Sequence, residues 1–320
     1  MNNSTDTQSG SSEKEQLVSL VQAIMASKSL DELNGRFAAF LSSTLVNHYQ
    51  RSESKSEKTP LLAEIRALLE PAYQASGVFG HSLNKPFGYP GDFGILDHVY
   101  DRKRHAKSPS AIGGIIDLWA LDRPLPRAVS ARKDILKEYL RATAIESGRK
   151  STVISLGCGA AREVCELDPT DRQALDITLL DTDPRGMEYA INSIKNLNED
   201  IDIKCIEGDA VKGDLGASLN GKTYDLVYSF GVLDYLPGKY AKALITNCKA
   251  LMHKESRLLL CIKDMDKYDR WFYELMFDWR FVGRTAKDGR ELMEANGLQV
   301  TREFRAQEGV IVVYECVLGS

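Results

Sequence analysis

Hydrophobic residues in the first part of the chain recur every three or four positions, the spacing of one face of a helix. These patterns predict helices at residues 17–25, 33–45, 60–69 and 125–140. The second pattern follows Ser29-Leu30-Asp31-Glu32, which fits a helix-capping box. Residues 77–94 are rich in glycine, proline and aromatic side chains, and this composition predicts a structured loop.

The pattern changes at Ser151 to short apolar runs separated by amphipathic segments. Such runs are typical of parallel strands with helices on both faces. They predict strands at residues 152–156, 177–180, 201–206, 224–229 and 257–262, and helices at residues 186–197 and 240–252. Two last runs, at residues 298–304 and 310–318, are close enough for a hairpin, so we expect an antiparallel final strand.

The expected fold is therefore α/β: a Rossmann-like, doubly wound and mostly parallel sheet with an antiparallel C-terminal strand, preceded by a helical domain. A length of 320 residues is sufficient for two domains. We expect a disordered polar tail at residues 1–14, a helical substrate or cap domain at 15–148 and the sheet domain at 149–320. Oligomeric state cannot be inferred from these patterns.

Composition narrows the function classes. The 41 Lys and Arg against 45 Asp and Glu give a formal net charge of −4, which argues against a general nucleic-acid binder. The basic run at residues 101–107 is typical of a solvated loop or helix end. The six cysteines form no CxxC pair and show no zinc-site spacing, so no metal is expected. Without an apparent signal peptide or membrane span, a reduced cytoplasmic protein is expected.

Candidate chemistry lies where the predicted strands end. The first strand leads into Gly157-Cys158-Gly159, where glycines let the backbone turn tightly and approach a ligand closely. A plain strand-to-helix turn is the alternative. A dinucleotide fingerprint requires a small residue three positions after the second glycine, and Arg162 stands there. This weakens the interpretation as an NAD-dependent reductase.

Three further strands also end on polar residues. Asp181 ends the second strand and could accept both hydroxyls of a ribose, while Asp183 could bind there or cap the next helix. Gly208-Asp209-Ala210 ends the third strand, where the carboxylate could accept from an adenine amine or form a turn. Ser229-Phe230 ends the fourth. Because parallel strands present their carboxyl ends at one edge, the sequence predicts a single ligand site there.

Taken in order, these motifs resemble those of class I S-adenosylmethionine-dependent methyltransferases over about residues 150–318. The matching stretches are Ser155-Leu156-Gly157-Cys158-Gly159, Leu180-Asp181, Gly208-Asp209 and residues 228–236. The resemblance implies S-adenosyl-L-methionine as cofactor. By it, Gly157 and Gly159 would flank the methionine part. Asp181 would hold the ribose, and Asp209 with Ala210 would hold the adenine. Ser229 would lie near the transferred methyl.

The sequence departs from the family pattern at two positions. Ser155 stands where the family usually has an acid, two residues before the first glycine, and Ala161 replaces the third glycine. The first departure leaves the contact to the cofactor's amino group without an assigned residue.

A narrower resemblance is to a bacterial subgroup associated with methyl esters of 3-hydroxy fatty acids, which also contains members of unassigned substrate. It is carried by Gly88-Tyr89-Pro90-Gly91-Asp92-Phe93, the Arg132 helix, and residues 231–236 and 278–285. The resemblance implies a small-molecule acceptor and O-methylation of a carboxylate such as a hydroxy fatty acid. An N- or O-methyltransferase of a natural-product intermediate and a non-catalytic cofactor-binding regulatory protein are the alternatives.

Tyr89, Asp92, Asp234 and Tyr235 are the candidate catalytic residues. A carboxylate acceptor is already ionised, whereas an alcohol or amine must lose a proton to a positioned side chain. Asp92 equally suits a helix N-cap. Arg132 could pair bidentately with the cofactor's carboxylate or form an ordinary surface salt bridge.

Aromatic side chains are concentrated between the fifth predicted strand and the terminal hairpin. They are Trp271, Phe272, Tyr273, Phe277, Trp279 and Phe281, together with Met276. Such a cluster could line an apolar acceptor pocket, although a stripe of this kind more commonly packs a helix into a core.

Overall fold

The computed structural model describes residues 5–101, 111–146, 148–196 and 203–319, with side chains from residue 13 onward except at 146. The chain divides into two compact units. The helical unit comprises the residues up to Arg123 together with Arg270–Trp279, and the sheet unit comprises Pro124–Asp269 and Arg280–Ser320. Residues 102–107 of the basic run and residues 1–4 of the predicted tail lie outside the described residues.

The described residues form fifteen α-helices, most of them amphipathic. They are α1 (Thr5–Met25), α2 (Leu30–Leu41), α3 (Thr44–Arg51), α4 (Lys55–Ala75), α5 (Gly77–Asn84), α6 (Phe93–Asp101), α7 (Ile112–Leu121), α8 (Pro124–Glu146), α9 (Arg162–Cys165), α10 (Pro169–Gln173), α11 (Pro184–Lys195), α12 (Leu215–Ser218), α13 (Gly238–Ala250), α14 (Arg270–Phe277) and α15 (Ala286–Glu294). None of them has the length and apolar character that crossing a membrane requires.

Seven strands within the described residues form one sheet in the order β3-β2-β1-β4-β5-β7-β6. They are β1 (Ser151–Leu156), β2 (Leu175–Asp181), β3 (Ile203–Glu207), β4 (Tyr224–Ser229), β5 (Met252–Lys263), β6 (Leu298–Arg305) and β7 (Ile311–Leu318). The first five pair in parallel, and β7 runs antiparallel between β5 and β6. The predicted Rossmann-like sheet with an antiparallel C-terminal strand is confirmed.

Both faces of the central strands β1, β2 and β4 are buried, as the apolar runs predict. Along β1, Ile154 and Leu156 join the core cluster that includes α13, while Val153, the residue before Ile154, joins the opposite cluster with α8 and α11. Side chains of a strand alternate between faces, so a strand covered on both sides becomes a continuous apolar run. This arrangement leaves the carboxyl edge of the parallel strands as the place where polar loops collect.

The predicted loop at residues 77–94 is wrong for residues 77–84, which form α5. The Ser76 hydroxyl accepts from the Phe79 N–H at 3.0 Å and donates to the buried carboxylate of Asp117. Phe79 is itself fully buried. Capping and core packing therefore outweigh the low helix propensity of the two glycines in this helix.

Two other helical boundaries differ from the sequence expectation. Helix α1 begins at Thr5, within the predicted disordered tail, because good helix formers such as Glu13 and Lys14 extend the helix from the buried Leu17. The pattern at residues 33–45 is divided between α2 and α3, since the Ser43 hydroxyl accepts from the Val46 N–H and starts a new helix.

The boundary between the units falls at Arg123 and not at residue 148. Helix α8 belongs to the sheet unit because Leu136 and Leu140 are buried in the core below β1 and β2, and Tyr139 donates to Glu315 of β7 at 2.6 Å. Conversely, α14 lies in the helical unit, where Tyr73 donates to the Met276 carbonyl at 2.9 Å. The change of pattern at Ser151 marks the first strand, but it does not show which core a neighbouring helix joins.

Candidate functional site

The turn after β1 requires glycine at its first position. Gly157 has φ +72°, and a Cβ atom there would lie 2.2 Å from Cγ2 of Val232. The N–H groups of Gly157 and Cys158 donate to the carbonyl of Leu180 at 2.8 and 3.2 Å, which ties the turn to β2. The backbone is left-handed again at Gly159, where φ is +53°. The backbone of this turn is thus narrow and fixed, as a ligand-approaching loop must be.

Asp181 joins the end of β2 to this turn. Its Oδ2 accepts from the Gly159 N–H at 2.8 Å, and its Oδ1 accepts from the Asp183 N–H at 2.9 Å. A carboxylate can accept about four hydrogen bonds. Asp181 therefore holds the glycine turn in place and still has acceptor capacity for a ligand. The side chain is largely buried, with 8% of the residue exposed.

The carboxylates of Asp183 and Asp209 are engaged with their own loops. Asp183 caps α11 by accepting from the Arg185 N–H at 3.1 Å, and the Arg185 side chain holds the pKa of that carboxyl below its usual range. Burial alone would raise the pKa of Asp209, but the Val211 N–H and the Lys212 ammonium, each 3.0 Å away, lower it. The cap and the turn that were the alternative interpretations are both present.

The loop after β3 is fixed by a residue that the sequence did not single out. Asn247 of α13 donates to the Ala210 carbonyl at 3.0 Å and accepts from the Leu215 N–H at 3.3 Å. Gly208 in turn donates to the Asp181 carbonyl at 2.9 Å. Asn247 is buried, and an amide among the apolar positions of an amphipathic helix is the signal that could have identified it.

Ser229 joins the ends of two strands. Its side chain is fully buried, and its hydroxyl donates to the Leu156 carbonyl at 2.7 Å, joining the ends of β4 and β1. The strand end thus uses this hydroxyl internally, and the position of Ser229 near a transferred methyl stays a prediction. Phe230, the next residue, is half-buried with its ring edge-on to Tyr228 at 6.4 Å.

A buried polar network lies behind the glycine turn. The Tyr228 hydroxyl donates to Oε1 of Glu163 at 2.8 Å, and the Ser155 side chain hydrogen-bonds the same phenol oxygen. Burial raises the pKa of the Cys158 thiol well above its usual value, and the nearby Asp181 and Glu163 charges raise it further. Cys158 thus remains a neutral thiol, and sequence reasoning did not identify Glu163.

Arg132 is buried in the sheet unit. It is 3% exposed, and a Cβ atom at Gly231 would lie 3.2 Å from its Nη2. Its charge acts on Glu163, whose pKa it lowers against the larger raising effect of burial. The guanidinium therefore lies at the loop after β4, in the same polar region as Glu163.

Asp234 is held in a buried ion pair and is not a readily available base. Its carboxylate pairs with the Lys263 ammonium and accepts from the Lys263 N–H at 2.8 Å, while its carbonyl accepts from the Val282 N–H at 2.8 Å. The exposed fractions of the two paired side chains are 2% and 4%. Tyr235, its neighbour, is 37% exposed and lies 5.7 Å from the Phe281 ring.

The two remaining catalytic candidates belong to the helical unit. Tyr89 is 39% exposed. Asp92 is fully buried and accepts from the Ile95 N–H at 2.9 Å, the geometry of a cap on α6. Its Oδ1 also lies 2.7 Å from Nε2 of His81, a partner that sequence reasoning missed. A Cβ atom at Gly94 would lie 2.7 Å from the His81 ring, so close helix packing accounts for that glycine.

The aromatic cluster is divided between the units. Residues 271–279 belong to the helical unit, where Phe277 lies edge-on to Phe79 at 5.1 Å and Phe272 to Trp119 at 6.0 Å. Phe281 belongs to the sheet unit. Most of the stripe therefore packs a core, the commoner of its two interpretations.

One family model matches part of the chain. Residues 154–260, about a third of the chain, match the family described as methyltransferase domain. No curated protein sequence matches the chain significantly.

Solved structures were also compared with the chain, and one of them is similar in fold over its whole length. A possible exported protein from Bordetella parapertussis is 14% identical, with all of both chains covered and a TM-score of 0.59. Magnesium protoporphyrin IX methyltransferase from Synechocystis PCC 6803, solved with bound SAH, is 16% identical over 60% of this chain and 85% of that one, with a TM-score of 0.47. A third structure, 1,6-didemethyltoxoflavin-N1-methyltransferase from Burkholderia thailandensis, is 16% identical over 59% of this chain and 79% of that one, with a TM-score of 0.42.

Proposed function

Because residues 154–260 match a methyltransferase domain, we propose that the chain is an S-adenosylmethionine-dependent methyltransferase that acts on the carboxylate of a small molecule. The observation that carries the proposal is the linkage of three strand ends through one residue, Asp181. Asp181 binds the glycine turn after β1 through Gly159, and its own carbonyl receives the Gly208 N–H from the loop after β3. This is the edge at which open α/β sheets bind their ligands.

The residues at this edge fit the cofactor by the chemistry of their donors and acceptors. Asp181 has acceptor capacity for two ribose hydroxyls beyond the two backbone groups it already holds. Asp209, kept ionised by Val211 and Lys212, is an acceptor for the adenine amine. Arg132 is a planar cation that matches the carboxylate of the methionine part. When bound, the cofactor supplies an electrophilic methyl carbon on a sulfonium.

The chain contributes by fixing these groups in place, since methyl transfer is an in-line displacement whose rate depends on proximity and orientation. The segment after β4 is fixed by the loop between α14 and α15: Arg284 donates to the carbonyl of Leu233 at 2.7 Å and also to that of Leu236. The ion pair of Asp234 with Lys263 fixes the same segment from β5. The residues that follow β4 are therefore rigidly placed.

A carboxylate acceptor agrees best with the state of the candidate bases. Asp234 is committed to Lys263, and Asp92 to His81 and the cap of α6. The other two candidates are tyrosines, which ordinarily ionise at a pH of about 10 and are poor bases at neutral pH. A carboxylate acceptor needs no base, because it is already the nucleophile. A hydroxy fatty acid is the acceptor that the subgroup resemblance suggests.

Replacing Asp181 tests the cofactor assignment. We expect Asp181→Ala to weaken the binding of S-adenosylhomocysteine more than tenfold, because a hydrogen bond to a charged group contributes about 1.5–3 kcal/mol. Isothermal titration calorimetry measures the affinity. The matched control is Asp176→Ala at the other end of β2, whose carboxylate pairs with Lys222 at 2.9 Å, and its affinity should remain that of the wild type.

Three results of this titration would contradict the proposal in different ways. Unchanged affinity in Asp181→Ala would show that the ribose assignment is wrong. Absence of S-adenosylhomocysteine binding by the wild type would refute the methyltransferase function. Binding of NADH instead would establish the reductase alternative.

The acceptor is tested with methyl-labelled cofactor and an extract of the host cell. We expect a base-labile label on a small lipid, as a methyl ester requires. Label on protein or nucleic acid would contradict a small-molecule acceptor, and a base-stable label on a small molecule would favour the N- or O-methylation of another metabolite. Cofactor binding without any transfer would favour the non-catalytic alternative.

A further inference from the structure

The end of β1 lacks a carboxylate, and the structure brings another one towards it from the next helix. Ser155 is buried at the strand end and hydrogen-bonds the hydroxyl of Tyr228. That hydroxyl donates to Oε1 of Glu163 at 2.8 Å. The phenol oxygen of Tyr228 therefore links Ser155, at the end of β1, to Glu163, on helix α9.

The Glu163 carboxylate lies close to the glycine turn and is surrounded by groups that act on its charge. Glu163 is 7% exposed. Burial has the largest effect and raises the pKa of Glu163, whereas its own N–H, the Tyr228 hydroxyl and the Arg132 guanidinium lower that pKa and favour the ionised form. Its charge also acts on the Cys158 thiol within the turn. A buried carboxylate of this kind is costly unless a cation or several donors accompany it.

Glu163 and Arg132 together match the two charges of an α-amino acid. An amino acid carries its ammonium and its carboxylate on one carbon atom, so its binding site needs an anion and a cation close to each other. Arg132 lies against Gly231 after β4, and its charge acts on Glu163. Both side chains are largely buried, which strengthens their electrostatic interactions with a ligand.

We propose that Glu163 binds the α-amino group of the cofactor in place of the strand-end acid that Ser155 replaces. This assignment rests on the proposed function. Tyr228 and Ser155 are positioning residues, because they orient the Glu163 carboxylate through the shared hydroxyl. The carboxylate function has thus moved from the strand to the following helix, with the phenol as the connection.

The test compares two ligands by titration calorimetry: S-adenosylhomocysteine and its analogue that lacks the α-amino group. We expect the wild type to bind the complete ligand at least tenfold more tightly. In Glu163→Gln this ratio should fall to about twofold, because the complete ligand loses its charged partner while the analogue has none to lose. The matched control is Glu166→Gln, which removes a carboxylate paired with Lys133 and Lys137 and should keep the wild-type ratio.

The ratio separates recognition of the amino group from a structural effect. Equal weakening of both ligands in Glu163→Gln, or an unchanged ratio, would overturn the proposal, because Glu163 would then only shape the turn. If the wild type binds neither ligand, the proposed function itself is wrong, and this outcome differs from a wrong assignment of Glu163 alone. If Glu163→Gln does not fold, Tyr228→Phe replaces it. For this variant, the affinity ratio of the complete ligand to the analogue should fall below the wild-type value but stay above twofold. An unchanged ratio would again overturn the proposal.

Discussion

Gly157→Ala should weaken the binding of S-adenosylhomocysteine by about 100-fold. The backbone at this position has φ +72°, which costs a residue with a Cβ atom about 1–2 kcal/mol. The new methyl group would also lie 2.2 Å from Cγ2 of Val232. Valine is branched at Cβ and cannot easily rotate away, so the turn itself must move. Titration calorimetry measures the loss, and circular dichroism checks that the variant is folded.

Two further variants separate the clash from backbone strain. Gly221 has a similar φ of +69°, and among the described residues no atom lies within 4 Å of its Cβ position, so Gly221→Ala should bind normally. Adding Val232→Ala to Gly157→Ala should restore most of the lost affinity, because the clashing atom is removed. Wild-type affinity in Gly157→Ala alone would contradict the assignment of this turn to the cofactor site.

The sheet was predictable because burial on both faces produces a distinctive pattern. Every residue of the β4 segment 224–229 except Asp225 is buried, and the boundaries of the strand are those expected from the apolar run. The helical unit was less predictable. Helix α5 depends on Asp117, a residue distant in sequence that satisfies Ser76 at its start, and local propensity contains no information about such a partner. The same limit applies to α14, which packs into the core of the helical unit although it follows β5 in the sequence.

The candidate site was predictable as a set of strand ends and not as a set of side-chain roles. Asp181 occupies the expected place, but its hydrogen bonds to the glycine turn come from folding. Ser229 and Asp234 are buried, and their polar groups satisfy the protein itself. Sequence shows which polar groups reach the edge. Only the structure shows which of these groups are already bonded to neighbouring residues, as Asp234 is to Lys263.

Asp234→Ala should lower the free energy of unfolding by about 3–5 kcal/mol at pH 7, because removing one partner leaves a buried charge without compensation. The remaining charge is the Lys263 ammonium, which is 4% exposed and whose pKa is already lowered by burial. Urea unfolding followed by circular dichroism measures the change. Glu291→Ala is the control, since its exposed pair with Lys287 should contribute less than about 1 kcal/mol.

The pH dependence of this variant identifies the cause of its instability. Without Asp234, the pKa of Lys263 in the folded state falls further, since Asp234 raises it and both burial and the Arg132 charge lower it. The unfolded chain then binds more protons than the folded one, so stability should rise between pH 7 and pH 10. The double variant Asp234→Leu with Lys263→Met should regain much of the loss, because neither charge remains. A variant Asp234→Ala that keeps its full stability but loses turnover would instead restore Asp234 as a catalytic residue.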